Sequence, residues 1–372
     1  MKLRIEQRDL AAAAKQAHRR LPSNPANPVL GGLLIESKED GPATLSGFDL
    51  EVATRATLDA DTLEPGIVLV SGRLLADVAA AMPAGPVDLV ADDREIILTA
   101  PGTVFTLPTM EHRDYPALPK PPEATGTVDG TLFAKAVTHA AQASMPSAEA
   151  VGTMEGFAGV HILADDTDEL VISASDRYRI VRHRIPWSSD GNADSELLIP
   201  ADGIAATAKA MAGSQIGIAF PAGGGVASLA TDRLTVTSRT IASGFPNINV
   251  LFPDPDTSTG CLQADAAELM EAVRRAALVN ETTEKAIVLT AGMDTLSVSG
   301  GGLRGKGVNQ ITAQVDGLDG LRIGYQPAFL GSLLAPIDGQ VRLWLTTPTK
   351  PVLIEPVDDD TYRAVCMPIR LK

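Results

Sequence analysis

Cysteine, histidine, aromatic side chains and positive charge are all scarce in this chain of 372 residues. Its two cysteines, Cys261 and Cys366, lie far apart. Neither a disulfide framework nor a CxxC metal site can be drawn, and a reducing cytosol is the expected setting. The five histidines are His18, His112, His139, His161 and His183, and none forms HExxH or a paired metal spacing. Arg182-His183-Arg184 sits in an alternating run and reads as a surface strand. Aromatic residues make up 4%, so the core must come mainly from Val, Leu, Ile and Ala. No stretch approaches the roughly 18 apolar residues of a membrane span, and MKLRIEQRDL has no apolar signal core. Lys and Arg number 31 against 46 Asp and Glu, and the net charge of −15 argues against a simple coat on nucleic acid.

The usual catalytic constellations are missing too. Ala222-Gly223-Gly224-Gly225 and Gly300-Gly301-Gly302 do not continue into a phosphate-cradling motif before a helix. Asp165-Asp166 and Asp358-Asp359-Asp360 read as turns, because the spaced ligands and closing Glu of a calcium loop are absent. No GxSxG occurs, and no nucleophile, base and orienting group are tied together. Neither an enzyme nor a cofactor or metal site is expected.

What the chain does have is repetition. Hydrophobic residues at 45% and charged residues at 21% are ordinary globular values. Six segments read as helices between strand-like runs: 10–20, 73–82, 131–143, 201–213, 266–279 and 326–336. Asp9, Ser71 and Asp265 stand where N-caps belong, and Met82-Pro83 and Ala335-Pro336 end two of the helices. Leu10, Ala14, Ala17 and Leu21 trace one apolar face, as do Leu269, Val273 and Ala276. Runs such as Val29–Ile35, Leu170–Ala174 and Val341–Leu345 read as strands of antiparallel hairpins. Gly244-Phe245-Pro246-Asn247-Ile248 answers Asp114-Tyr115-Pro116-Ala117-Leu118, 130 residues earlier, and a Pro-rich connector follows each. Leu45–Leu50 is echoed by Ile172–Arg177. Three blocks result, over 1–120, 121–253 and 254–372, each an α+β unit with two helices and about eight strands.

Charge follows the repeat. The helical segments hold eight basic residues, Lys15, Arg19, Arg20, Arg73, Lys135, Lys209, Arg274 and Arg275, against four acidic ones. They carry +4 while the rest of the chain carries −19. Lys15 and Arg19 lie four apart on a polar face, and Lys135 and His139 repeat that spacing. A recurring basic face in an otherwise acidic chain suits a polyanion met through its phosphates, without base reading.

Specific motifs then join the repeat. They are Asn27-Pro28-Val29-Leu30 with Gly31–Glu36, Ser46–Val52, Ser175-Asp176-Arg177-Tyr178-Arg179-Ile180, Gly244-Phe245-Pro246, Thr346–Pro351 and Met367-Pro368-Ile369-Arg370-Leu371. In this order the chain resembles, over its whole length, the DNA sliding clamps, the β subunits of bacterial DNA polymerase III. The composition resembles that of an actinobacterial, somewhat divergent member.

The resemblance implies a DNA-clamp fold of three repeated domains, each with two helices on antiparallel sheets. It also implies a ring-shaped head-to-tail homodimer around duplex DNA, located in the cytoplasm at the nucleoid. The basic helix residues would face DNA. Phe105 and Leu107 would meet Leu278 and Val279 across the subunit interface. A pocket between the second and third domains would take short, partly apolar peptides of the polymerase α subunit, the clamp loader, other polymerases and repair proteins. Its matching positions are Phe157, Ser175, Arg177, Tyr178, Arg179, Ile180, Pro246, Val250, Leu251, Thr349, Pro351, Val365, Cys366, Met367, Pro368, Ile369 and Arg370. Arg179 would orient the polar part of the peptide over an apolar floor.

Arg177 stands where glycine is usual, Tyr178 where histidine is common and Val250 where arginine is common. Glu281–Lys306 also departs from the pattern. These departures raise an alternative: a specialised second clamp whose altered pocket gives resistance to a clamp-directed antibiotic.

Overall fold

The computed structural model describes residues 1–165, 168–189, 195–221, 225–280, 286–302 and 305–371. Asp166, Ala222–Gly224 and parts of Glu281–Lys306 lie outside these. Among the described residues are six α-helices: α1 Gln7–His18, α2 Gly72–Ala81, α3 Gly130–Gln142, α4 Ile204–Met211, α5 Ala266–Ala277 and α6 Pro327–Leu334. Each third of the chain carries two of them with eight or nine strands. Among the described residues no helix is long and apolar enough to cross a membrane.

The chain forms two compact units. The first comprises Met1–Thr131, Ser188–Asn192 and Ala206–Thr240; the second comprises Leu132–Trp187, Ala193–Ala205 and Ile241–Lys372. The first holds a 14-stranded sheet and the second a 12-stranded one. The middle third supplies strands to both. In the first unit Leu234–Arg239 pairs antiparallel with Val52–Leu58, with Ser238 opposite Val52. In the second, Arg179–Pro186 pairs antiparallel with Tyr362–Cys366, with Ile180 opposite Val365. Each sheet therefore runs unbroken from one repeat into the next, joined by backbone hydrogen bonds.

Helix α1 packs on α2 and on the strand Val52–Leu58 through Leu10, Ala13, Ala14 and Ala17, all buried. Helix α5 packs on α6 and on the strands Thr295–Gly302 and Gly305–Asp316. Its buried face is Ala266, Leu269, Ala272, Val273 and Ala276, the helical spacing expected of one apolar stripe. Asp265 caps α5 by accepting from the Glu268 N–H at 2.9 Å, and Ser71 caps α2 from Leu74 at 3.5 Å. Asp9 does not cap α1. The strand Lys2–Glu6 runs straight into the helix at Gln7, whose N–H donates to the Gly85 carbonyl at 2.9 Å. A tertiary acceptor takes the cap's place, and Asp9 lies in the first turn, where a carboxylate suits the helix dipole. Val29–Gly31 is also not strand. Pro28–Gly31 forms a 3-10 turn that Asn27 opens by accepting from the Val29 N–H at 3.4 Å, and the strand begins at Gly32.

Candidate functional site

The pocket residues are organised by one hairpin of the second unit. Strands Glu169–Ser175 and Arg179–Pro186 pair antiparallel, with Ser175 opposite Ile180. The turn between them is closed by the Asp176 N–H donating to the Arg179 carbonyl at 3.3 Å. Asp176 Oδ1 accepts from the N–H groups of Tyr178 at 3.0 Å and Arg179 at 2.7 Å. Ser175 Oγ donates to the Arg179 carbonyl at 2.8 Å and accepts from the Arg177 N–H at 3.1 Å. Arg177 has φ +77°, at the first central position of the turn. Primed hairpin turns favour glycine there, and an L-residue in the left-handed region costs about 1–2 kcal/mol.

Arg179 turns inward. Its side chain and that of Asp176 are both buried, with Nε and Nη2 donating to Asp176 Oδ2 at 2.9 and 2.8 Å. Nη1 donates to Ser332 Oγ at 2.7 Å, and the guanidinium lies 4.3 Å from the Phe329 ring centroid. Ser332 and Phe329 belong to α6, so the pair locks the hairpin to that helix. Its guanidinium is engaged by this lock. The exposed members of the turn are Arg177 and Tyr178, the latter 56% exposed with its ring stacked 6.0 Å from Phe329.

Sheet register supplies the floor. Ile180 and Val365 face each other on paired strands and pack with Ile248 in a buried cluster, flanked by Phe245 and Phe252. His161 stacks on Phe245 at 4.7 Å, and the Arg182 guanidinium lies 4.2 Å from the Phe252 centroid while donating to Asn249 at 3.3 Å. These contacts hold a loop whose tip leaves Val250 77% and Leu251 51% exposed. Two large apolar side chains thus stand in water beside an apolar floor, as a docking surface requires.

The C-terminal segment is pinned alongside. The Met367 N–H donates to the Tyr178 carbonyl at 2.8 Å, and the Ile369 N–H to the Gly324 carbonyl at 2.7 Å. A Cβ at Gly324 would stand 2.9 Å from the Ile369 carbonyl, so glycine is what permits that approach. Met367, Arg370 and Leu371 are exposed, and Pro368 and Ile369 half-buried. Cys366 is fully buried, and burial pushes its thiol up to about 12. Pro246 and Pro351 are half-buried and Thr349 exposed. Phe157 packs in a separate small cluster with Met145, Ala150 and Ala158. Sequence reasoning named Asp176, Phe245 and Ile248 only within motifs, without placing them here, and did not single out Phe252, Phe329 and Ser332. An aromatic on a helix in a chain with eight phenylalanines was the available clue to Phe329.

Among the basic helix residues, Lys15, Arg19, Arg73, Lys135, Lys209, Arg274 and Arg275 are exposed. Arg73 pairs loosely with Asp77 at 3.9 Å, and Arg274 pairs with Glu271 at 2.7 Å. Lys15, Arg19, Lys135 and Lys209 have no carboxylate partner among the described residues. Arg20 is different: it is half-buried and faces Asp49 at 3.6 Å.

His139 and His183 also differ from expectation. His183 is buried, with its Nε2 3.3 Å from His139 Nδ1 and its ring 4.7 Å from that of Tyr362. Burial, then the neighbouring His139 and Lys135, lower it to about 3, so it is neutral at pH 7. Arg182-His183-Arg184 alternates as a strand does, but its histidine points into the unit.

Of the expected interface residues, Leu278 is 73% exposed, Phe105 and Val279 are half-buried, and Leu107 lies in its own core. On the strand Thr103–Met110 it is Val104 that faces out. That strand pairs with Glu95–Ala100 on one side. Among the described residues its other side pairs only at Thr109 and Met110. The strand Gly305–Asp316 pairs with Thr295–Gly302 over Gly305–Thr312 and with Gly260–Asp265 only over Ala313–Asp316. Among the described residues each unit therefore has an open strand edge with an exposed valine, Val104 or Val308.

Three family descriptions match in order. They are the N-terminal domain of the DNA polymerase III beta subunit over residues 1–119, the central domain over 127–247 and the C-terminal domain over 251–370. The chain is 36% identical over 384 residues to the beta sliding clamp of Streptomyces coelicolor, covering 100% of both chains. It is 29% identical over 379 residues to the beta sliding clamp homolog GriR of Streptomyces muensis, covering 100% of this chain and 99% of that one. In fold it matches the sliding clamp of Pseudomonas aeruginosa bound to griselimycin, with TM-score 0.90, 21% identity and 100% of both chains covered. The Bacillus subtilis sliding clamp matches with TM-score 0.90 at 19% identity, again over 100% of both chains.

Proposed function

The chain belongs to the DNA polymerase III beta subunit family, the beta sliding clamps, and from that premise we propose how it does its work. Two copies join head to tail into a ring around duplex DNA, each with domains over 1–120, 121–253 and 254–372. The ring tethers the polymerase and catalyses nothing itself, acting in the cytoplasm at the nucleoid. Lys15, Arg19, Lys135 and Lys209 meet phosphates without reading sequence, helped by Arg73, Arg274 and Arg275, while Arg20 serves its own loop. Retention is topological, so each contact can stay weak and exchangeable. The open strand edges carrying Val104 and Val308, with Leu278, Phe105 and Val279, are where subunits join. The observation that carries the reading is the full-length match to the family, together with unpaired basic side chains on helices of an acidic chain.

The second-unit pocket takes short, partly apolar peptides of the polymerase α subunit, the clamp loader and repair proteins. Val250, Leu251 and Met367 offer apolar contact beside the floor of Ile180, Ile248 and Val365. The reading as an antibiotic-resistant second clamp carries less: the match to GriR is 29%, below the 36% to the Streptomyces coelicolor clamp.

Light scattering should give the mass of a dimer, and the protein loaded on nicked circular DNA should be lost on linearisation. Replacing Lys15, Arg19, Lys135 and Lys209 together by Glu should cut the rate of loading onto the circle at least tenfold at low salt. Unchanged loading would refute the helix assignment.

A further inference from the structure

Arg177 sits at the rim of the pocket in a conformation that opposes it. Its φ of +77° lies where glycine is favoured. Its side chain does little for the fold. It is exposed, and among the described residues its guanidinium has one polar contact, Nη1 to the Met154 sulfur at 3.6 Å. A thioether is a weak acceptor and neutralises no charge. The carboxylate nearest in sequence, Asp176, is committed to Arg179 and to two backbone N–H groups. Arg177 therefore presents an uncompensated planar cation flanked by apolar surface, with Met154 on one side and the exposed Tyr178 next in the chain.

A guanidinium of this kind recognises a carboxylate in a two-pronged geometry. We propose that Arg177 is a specificity-determining residue, selecting partner peptides that carry an acidic side chain beside their apolar anchors. The proposal rests on the reading of this pocket as a peptide site. Selection follows from charge complementarity at the edge of an apolar floor, which discriminates among peptides sharing the same anchors.

Two labelled synthetic peptides test it. Both carry a Leu-Phe anchor, and they differ only in an Asp or an Asn flanking it. Binding is read by fluorescence anisotropy to the full-length protein, to Arg177→Gln and to Arg177→Gly. The wild type should prefer the Asp peptide by about three- to fivefold at low salt, as an exposed charge pair does. The preference should vanish near about 0.5 M salt, where the Debye length is only a few ångströms. Both variants should bind the two peptides alike. Arg177→Gln keeps a side chain in the same backbone, and Arg177→Gly relieves the backbone, so agreement between them isolates the charge. Equal wild-type binding of both peptides, or a preference that survives in both variants, overturns the proposal and leaves the pocket standing. Failure of the wild type to bind either peptide overturns the pocket reading and the proposal with it.

Discussion

Asp49 in the first unit and Asp176 in the second each hold a hairpin turn from within. Asp49 Oδ1 accepts from the N–H groups of Glu51 at 2.9 Å and Val52 at 2.6 Å, and Asp176 Oδ1 from those of Tyr178 and Arg179 at 3.0 and 2.7 Å. The residue after each aspartate is left-handed, Leu50 at φ +78° and Arg177 at φ +77°. The turns differ in what the remaining carboxylate oxygen does. In the first unit it faces Arg20, on the segment after α1, at 3.6 Å with both side chains partly in water. In the second it is gripped by the buried Arg179, which reaches on to α6. One backbone design serves as a plain turn in one place and as a lock between hairpin and helix in the other. The distinction comes from the fourth residue, Val52 against Arg179.

That contrast can be broken by substitution. Asp176→Ala should cost the most, about 3–5 kcal/mol in urea unfolding, because it strands the buried Arg179 charge. Asp49→Ala removes the same backbone bonds but leaves a half-exposed arginine, and should cost about 1–2 kcal/mol. Equal losses would show that the Arg179 lock contributes nothing beyond the turn. The smallest effect belongs to Leu50→Asn. Asparagine tolerates the left-handed region, so a gain of about 0.5 kcal/mol is expected; a loss would mean that the leucine's own packing holds the turn.

Much of this was legible beforehand. The echo of Leu45–Leu50 in Ile172–Arg177 marked two turns now seen to be built alike, because a short aspartate-capped hairpin encodes its geometry locally. Helix positions were legible for the same reason: Ser71 and Asp265 are local caps. The failures share a cause. Asp9 lost its role to the Gly85 carbonyl, which is far away in sequence. His183 looked like one exposed member of an alternating strand, yet His139 and Tyr362 cover it. The contacts of Arg179 with Phe329 and Ser332, about 150 positions on, were out of local reach in the same way. Leu107 and Val104 lie three apart on one strand, on opposite faces, and only the sheet decides which face meets water. Long-range partners decide each of these, and periodicity does not contain them.

A turn that satisfies its own backbone within four residues asks nothing of its surroundings. Such a part survives duplication: copied into a new repeat, it folds before its neighbours have adapted to it. Its tip is then free to vary. Leucine in one copy and arginine in the other are what that freedom looks like after divergence, with a small standing cost in backbone strain accepted at both.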